Sequence, residues 1–389
     1  MNTRRPKIAL LANSTWNIYN FRLGLIRALR REGYEVLIIA PVDQYIKYLT
    51  RRQELRHISL RHLEAQRRSP LSDLLLYREL YRILRRERPD LLLSYTIKPN
   101  IYGNLAAARL GIPVISTITG LGYTFMADGW QQRLVERLYK LSLKHARRVL
   151  FHNRDDEAFF RQRGLLPKTQ MAVVPGSGVN THYFQPLTTD AQRRNTIFLF
   201  VGRLLYDKGI REYVEAARQL RELYGTELQC WVLGEVDNGN PAAVSKSELL
   251  GWIEAGYIRY KGTAHDVRRY IHQASAMVLP SYREGVPRSL LEGLAMAKPI
   301  ITTDAPGCRD TVLSGKNGEL VPVRDSDALC AAMQRLLHSS RERRLAMGAE
   351  SRALALRNFA EEKIVGQYLA MIQEYTQHDR ARQSSKEVF

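Results

Sequence analysis

The chain has 389 residues, enough for two domains that each bury a core. Its net charge of +20 and pI near 10.0 call for an acidic partner: nucleic acid, anionic lipid or a phosphorylated substrate. Three widely spaced cysteines, Cys230, Cys308 and Cys330, exclude a disulfide framework and a zinc site, and no apolar run approaches a transmembrane span.

In chain order, Lys7 to Ala12 predicts a buried strand, too short for a signal-peptide core, followed by a helix over Phe21 to Arg31 that Gly33 stops. Val36 to Ala40 predicts a strand, Leu71 to Arg88 a helix, and Leu91 to Tyr95 a strand introduced by Pro89 and Asp90. A helix over Pro99 to Leu110, a strand at Val114 to Thr117, a basic helix over Trp130 to Ala146 and a strand at Val149 to His152 continue the alternation. A segment rich in Gly, Thr and Pro after Val174-Pro175 then reads as a linker ending near Arg194.

The pattern restarts with a strand at Ile197 to Val201, a helix over Ile210 to Leu223, and strands at Gln229 to Leu233 and Met277 to Leu279. A helix from Ser289 and a strand at Pro299 to Thr302 follow. Alternation of this kind implies parallel sheets covered by helices: an α/β chain with an N-terminal Rossmann-like domain over 1–190, a second over 191–379, and a polar tail over 380–389.

Charge is split unevenly between these halves. Residues 1–190 hold 31 Lys and Arg against 15 Asp and Glu, a net +16, leaving +4 for the remainder. The clusters Arg51, Arg52, Arg56, Arg61, Arg67, Arg68 and Arg133, Arg137, Lys140, Lys144, Arg147, Arg148 fit an anionic membrane surface, against the bland reading of a solvated basic face. No helix-turn-helix, RNA-binding fingerprint or aromatic-interleaved basic strand speaks for nucleic acid.

In parallel sheets ligands bind beyond the carboxyl ends of strands. Gly202-Arg203 follows one predicted strand and Lys208-Gly209 opens the next helix, a place suited to a diphosphate, although two solvated surface cations fit equally well in isolation. The stretch Pro280-Ser281-Tyr282-Arg283-Glu284-Gly285-Val286-Pro287-Arg288-Ser289-Leu290-Leu291-Glu292 shifts that balance, because it puts two glutamates across a strand-to-helix junction. Glu284 in the loop suits a sugar and Glu292, near the first helical turn, suits a ribose diol. The alternative for Glu292 is a carboxylate favourably placed against the helix dipole.

That stretch resembles the signature of family 4 retaining glycosyltransferases of GT-B architecture, with two facing Rossmann-like domains. The resemblance extends through Val201-Gly202-Arg203, Lys208-Gly209, Gly262 with Asp266-Val267, and Val174-Pro175-Gly176-Ser177-Gly178-Val179-Asn180 with Phe184 and Pro186. It implies that Arg203 and Lys208 bind the donor diphosphate, Glu284 the donor sugar and Glu292 the ribose, with Gly202, Thr263, Gly285, Val286, Arg288 and Ser289 completing the donor site. Arg203, Lys208 and Glu284 are the implied catalytic residues. It also implies retention, the departing phosphate oxygen taking the acceptor's proton; no second carboxylate beyond Glu284 is evident as a nucleophile or base.

Asn17-Ile18-Tyr19-Asn20-Phe21-Arg22, Lys98-Pro99-Asn100 and Gly120-Leu121-Gly122 further resemble transferases that extend undecaprenyl-diphosphate-linked saccharides, among them N-acetylgalactosaminyl transferases acting on lipid-linked diacetylbacillosamine. This likeness implies a nucleotide-sugar donor, UDP-linked, and a lipid-linked saccharide acceptor. Asn13, Ser14, Arg61, Arg67, Arg68, Lys98, Gly120, Gly122 and Tyr123 are the acceptor-side candidates. Asn13-Ser14-Thr15 stands where many members carry a glycine pair, and Thr119-Gly120-Leu121-Gly122 where they carry a histidine.

Asp325-Ser326-Asp327 has the form of a metal-binding carboxylate pair, but it precedes a helical stretch where Asp and Ser are usual caps, so no metal and no cofactor is expected. The expected place of work is the cytoplasm, peripherally on the inner face of the plasma membrane. Two alternatives stay open: a nucleotide-sugar epimerase or hydrolase on the same fold, and a basic nucleic-acid-binding protein.

Overall fold

The computed structural model describes residues 5–53, 55–63, 70–122, 125, 129–187, 196–225, 228–237 and 239–384. The chain forms two compact units, Met1–Ser177 with Glu361–Phe389, and Gly178–Ala360. Both are parallel sheets clothed in helices, as the alternation requires. Among the described residues no helix is long and apolar enough to cross a membrane.

The first unit contains β1 (Lys7–Leu11), β2 (Glu35–Ala40), β3 (Arg56–Ser59), β4 (Leu91–Tyr95), β5 (Val114–Ile118), β6 (Arg148–Phe151) and β7 (Met171–Val173), in the order β3-β2-β1-β4-β5-β6-β7. Its interior strands are mostly apolar because both faces are covered, and their buried polar residues Ser94, Ser116 and Thr117 are hydrogen-bonded. Ile8 and Leu10 pack with Ile364 and Tyr368, while Ala9 and Leu11 pack with Leu76 and Leu80 of the helix Pro70–Glu87.

The second unit contains β8 (Thr196–Val201), β9 (Leu228–Leu233), β10 (Arg259–Tyr260), β11 (Ala276–Leu279), β12 (Ile300–Thr303) and β13 (Gly318–Val321), in the order β10-β9-β8-β11-β12-β13. Strand order reverses between β1 and β4 in one sheet and between β8 and β11 in the other. Such a reversal opens a crevice at the carboxyl ends of the strands.

The expected boundary near 190 lies earlier, because the segment from Gly178 belongs with the second unit. Val179 N–H donates to the Phe359 carbonyl (2.8 Å), Phe184 joins the second core, and the Arg352 guanidinium donates to the carbonyls of Thr181 (3.0 Å) and Phe184 (2.9 Å). The end of the expected second domain also moves. The helix Glu361–Ser384 returns to the first unit, where Tyr368 Oη and Thr117 Oγ1 lie 2.9 Å apart. Residues 380–384 of the expected tail continue that helix; 385–389 lie outside the described residues. The reassignment leaves the charge split intact, since the first unit holds 35 Lys and Arg against 19 Asp and Glu, again +16.

Candidate active site

In the second unit the crevice between β8 and β11 brings together two of the segments singled out by sequence. After β8 the chain passes Gly202 and Arg203, makes a short 3₁₀ turn at Tyr206–Lys208, and enters the helix Ile210–Tyr224 through Gly209. Gly209 has φ +72°, and a Cβ there would sit 2.0 Å from the Pro280 carbonyl oxygen. Only glycine permits this approach of the β8 and β11 loops.

The contact is completed by charge. Lys208 Nζ pairs with Glu284 Oε1, with side-chain exposures of 18% and 14%. Ser281 Oγ donates to the same carboxylate oxygen (3.0 Å) and Tyr282 N–H donates to the Asp207 carbonyl (2.9 Å). The Glu284 N–H in turn donates to the Pro306 carbonyl (3.0 Å), which ties the loop to the segment after β12.

Pro287 precedes the helix Arg288–Ala295, and no side chain caps that helix or the helix at Ile210. Two helix N-termini therefore offer N–H groups and positive dipole ends at the carboxyl edge of β8 and β11. Glu292 is the fifth residue of its helix and pairs with Arg288 one turn earlier (Nε to Oε1, 3.0 Å). The Arg288 Nη1 also donates to the Gly178 carbonyl (2.6 Å). Burial pushes the Glu292 carboxyl up, the neighbouring Arg288 guanidinium pulls it back, and the Asp266 charge adds to the rise.

The structure places the remaining donor-side candidates unevenly. Gly202, Gly285, Val286 and Ser289 lie in the loops and first turn just described, whereas Thr263 is exposed in the loop after β10. Arg203 does not join Lys208 and Glu284 in a shared ion pair; its Nη1 lies 3.0 Å from Asp237 Oδ2 on the loop after β9. Sequence reasoning missed Asp237, although it follows a strand end and the same rule would have found it. It also missed Tyr282, whose hydroxyl donates to Glu212 Oε1 (2.6 Å) under the guanidinium of Arg324, 4.9 Å from its ring centre. Burial and that bond to Glu212 raise the phenol well above its usual range.

Asp325 Oδ1 accepts from the Ala328 N–H (2.8 Å) and caps the helix Ser326–His338, while Asp327 accepts from Gln219 Nε2 (2.7 Å). Each carboxylate thus has a local structural role.

In the first unit the described acceptor-side candidates all follow strand ends: Asn13 and Ser14 after β1, Arg61 after β3, Lys98 after β4, and Gly120 and Gly122 after β5. Ser14 caps the helix Thr15–Phe21 by accepting from the Asn17 N–H (3.1 Å), and Lys98 pairs with Asp73 (3.0 Å). Arg67, Arg68 and Tyr123 lie outside the described residues.

Comparison with known proteins follows the same two-part division. The family model "Glycosyl transferase 4-like domain" matches residues 20–176, and "Glycosyl transferases group 1" matches 195–339. The N,N'-diacetylbacillosaminyl-diphospho-undecaprenol alpha-1,3-N-acetylgalactosaminyltransferase of Campylobacter jejuni is 28% identical, over 94% of this chain and 98% of its own. The UDP-Gal:alpha-D-GlcNAc-diphosphoundecaprenol alpha-1,3-galactosyltransferase of Escherichia coli is 25% identical, over 66% of this chain and 68% of its own. Among solved structures, HepE of Anabaena in complex with UDP and glucose superposes with a TM-score of 0.77 at 16% identity, over 95% of this chain and 100% of that one. These likenesses support the GT-B fold and give no support to an epimerase, a hydrolase or a nucleic-acid-binding protein.

Proposed function

Because the chain belongs to the glycosyltransferases described by those two family models, we propose that it moves a hexose or N-acetylhexosamine from a UDP-sugar to a polyprenyl-diphosphate-linked saccharide in surface glycan synthesis. The observation that carries the donor half is the meeting of Lys208 and Glu284 at the β8/β11 crevice, beside two helix N-termini that no side chain caps.

In this reading the donor diphosphate takes Lys208, Arg203 and the helix N–H groups, and Glu284 is left facing the sugar. Glu292, held by Arg288, accepts the ribose hydroxyls. The bond between the anomeric carbon and the β-phosphate oxygen breaks, and the acceptor hydroxyl bonds to that carbon on the same face. Its proton passes to the departing phosphate oxygen, and UDP leaves. Glu284 stabilises the positive charge growing at the anomeric carbon, while Lys208 and Arg203 stabilise the negative charge on the leaving group. The transfer is retaining and needs no metal.

The first unit presents the acceptor, held at an anionic membrane on the inner face. Beyond its charge, the helix Trp130–Leu143 exposes Trp130 (72%), Leu134 and Leu141 beside Arg133, Arg137 and Lys140. Exposed apolar residues flanked by cations on one helical face suit an interface of acyl chains and anionic headgroups.

The test is a screen of nucleotide sugars against polyprenyl-diphosphate saccharides, followed in the organic phase. A labelled lipid product with the donor's anomeric configuration is expected. Consumption of the nucleotide sugar at the same rate without acceptor would overturn the proposal in favour of hydrolysis or epimerisation.

A further inference from the structure

The reversal between β1 and β4 gives the first unit a crevice of its own, and a buried cation stands in it. Arg22 interrupts the two helices Thr15–Phe21 and Leu23–Arg31 that follow β1, and it is only 3% exposed. Its guanidinium carbon lies 4.0 Å from the ring centre of Tyr95, the last residue of β4. Among the described residues it has no carboxylate partner, and its Nε is buried without a hydrogen bond.

A buried guanidinium without a counter-ion is costly, and a cation–π contact compensates it only in part. The surrounding polar atoms are unsatisfied as well. Tyr95 Oη, Thr96 Oγ1 and His152 Nε2 are buried and without hydrogen-bond partners, and Thr96 holds φ +71°, a strained conformation for a β-branched residue. The Arg22 charge acts on Tyr95, Tyr368 and His152 alike; together with burial it holds the His152 imidazole well below its usual range, hence neutral. Strand ends of β4 and β6, a buried cation and several unused donors thus converge where a parallel sheet ordinarily takes its ligand.

We propose that Arg22 anchors an anion site at this crevice and that the anion is a diphosphate, the one carried by the acceptor; the second half rests on the acceptor reading above. The planar fork of Arg22 would bond two phosphate oxygens, with Tyr95 Oη and neutral His152 donating to others. The ligand would supply the missing counter-charge.

The test separates the site from the acceptor. Inorganic pyrophosphate is titrated against the Arg203→Ala/Lys208→Ala double variant, which lacks the donor cations, while thermal unfolding is followed; Arg22→Met is then added to that background. A saturable rise in Tm in the double variant, lost with Arg22→Met, is expected. In parallel, Arg22→Met alone should raise KM for a lipid-diphosphate saccharide at least about tenfold, leave the donor KM within about twofold, and be partly rescued by Arg22→Lys.

Loss of the pyrophosphate effect without change in acceptor KM would support the anion site and assign it to free phosphate rather than to the acceptor. Equal stabilisation of the double and triple variants, with unchanged acceptor KM, would overturn the proposal. If Arg22→Met does not fold, Arg22→Lys decides: its charge is kept and its fork lost, so an unchanged pyrophosphate response and KM would count against the site.

Discussion

Replacing Glu284 by Gln should separate binding from transfer, in opposite directions. Lys208 is already paired with Glu284, so a diphosphate that takes Lys208 must weaken that pair. Gln keeps an oxygen for Ser281 Oγ and Lys208 Nζ, which preserves the loop, but the bond falls from charge-assisted to neutral. Charge-assisted bonds are about twice as strong as neutral ones, and a bond to a charged group contributes about 1.5–3 kcal/mol, so roughly 1 kcal/mol of competition disappears. The Kd for UDP should therefore fall about fivefold. Transfer should drop by about 10²–10³, because in the proposed function this carboxylate stabilises the developing positive charge. Calorimetric titration with UDP and turnover at saturating substrates read the two effects. UDP affinity that falls in step with turnover, or turnover within about threefold of the parent, would refute the reasoning.

Gly209→Ala should destabilise the chain by at least about 2 kcal/mol in thermal unfolding, since it combines φ +72° with a contact at 2.0 Å; Gly262→Ala, with φ +68° but open space, should cost only about 1 kcal/mol. Asp325→Ala should lower stability by about 1 kcal/mol as a lost helix cap, while turnover stays unchanged in excess chelator. In vesicle sedimentation, binding to anionic but not zwitterionic bilayers is expected, weakened by salt and by charge reversal at Arg133, Arg137 and Lys140, each engaged cation being worth ~1 kcal/mol. Salt-independent binding would remove the membrane reading.

The strands legible in the sequence are the interior ones, and the four that escaped it are the four sheet edges: β3, β7, β10 and β13. An interior parallel strand is covered on both faces and reads as a continuous apolar run, as Val36 to Ala40 does. An edge strand such as Arg56–Ser59 or Arg259–Tyr260 is polar and short, and only its neighbour defines it. The return of the last helix to the first unit is likewise a tertiary fact, settled by Ile364, Tyr368 and Ile372 finding the first core.

At the site, Lys208 and Glu284 were legible because strand-to-loop position alone puts both at the carboxyl edge. Their direct pairing was not, since it depends on β8 lying beside β11, which local pattern cannot reveal. The pairings of Arg203 with Asp237 and of Tyr282 with Glu212 stayed hidden for the same reason, although Asp237's own place after a strand end was readable. Arg22 lies within the stretch Asn17 to Arg22 that the sequence singles out, but its own role shows only when its burial, and its lack of a carboxylate partner among the described residues, are seen.

In the proposed function the carboxyl edge of β8 and β11 holds the donor diphosphate through Arg203 and Lys208. This is tested most directly by the affinities for UDP and for uridine, measured on the parent chain, Arg203→Ala and Lys208→Ala. Each variant should weaken UDP binding about tenfold or more and leave uridine within about twofold. Equal losses for both ligands, or none for either, would contradict the account.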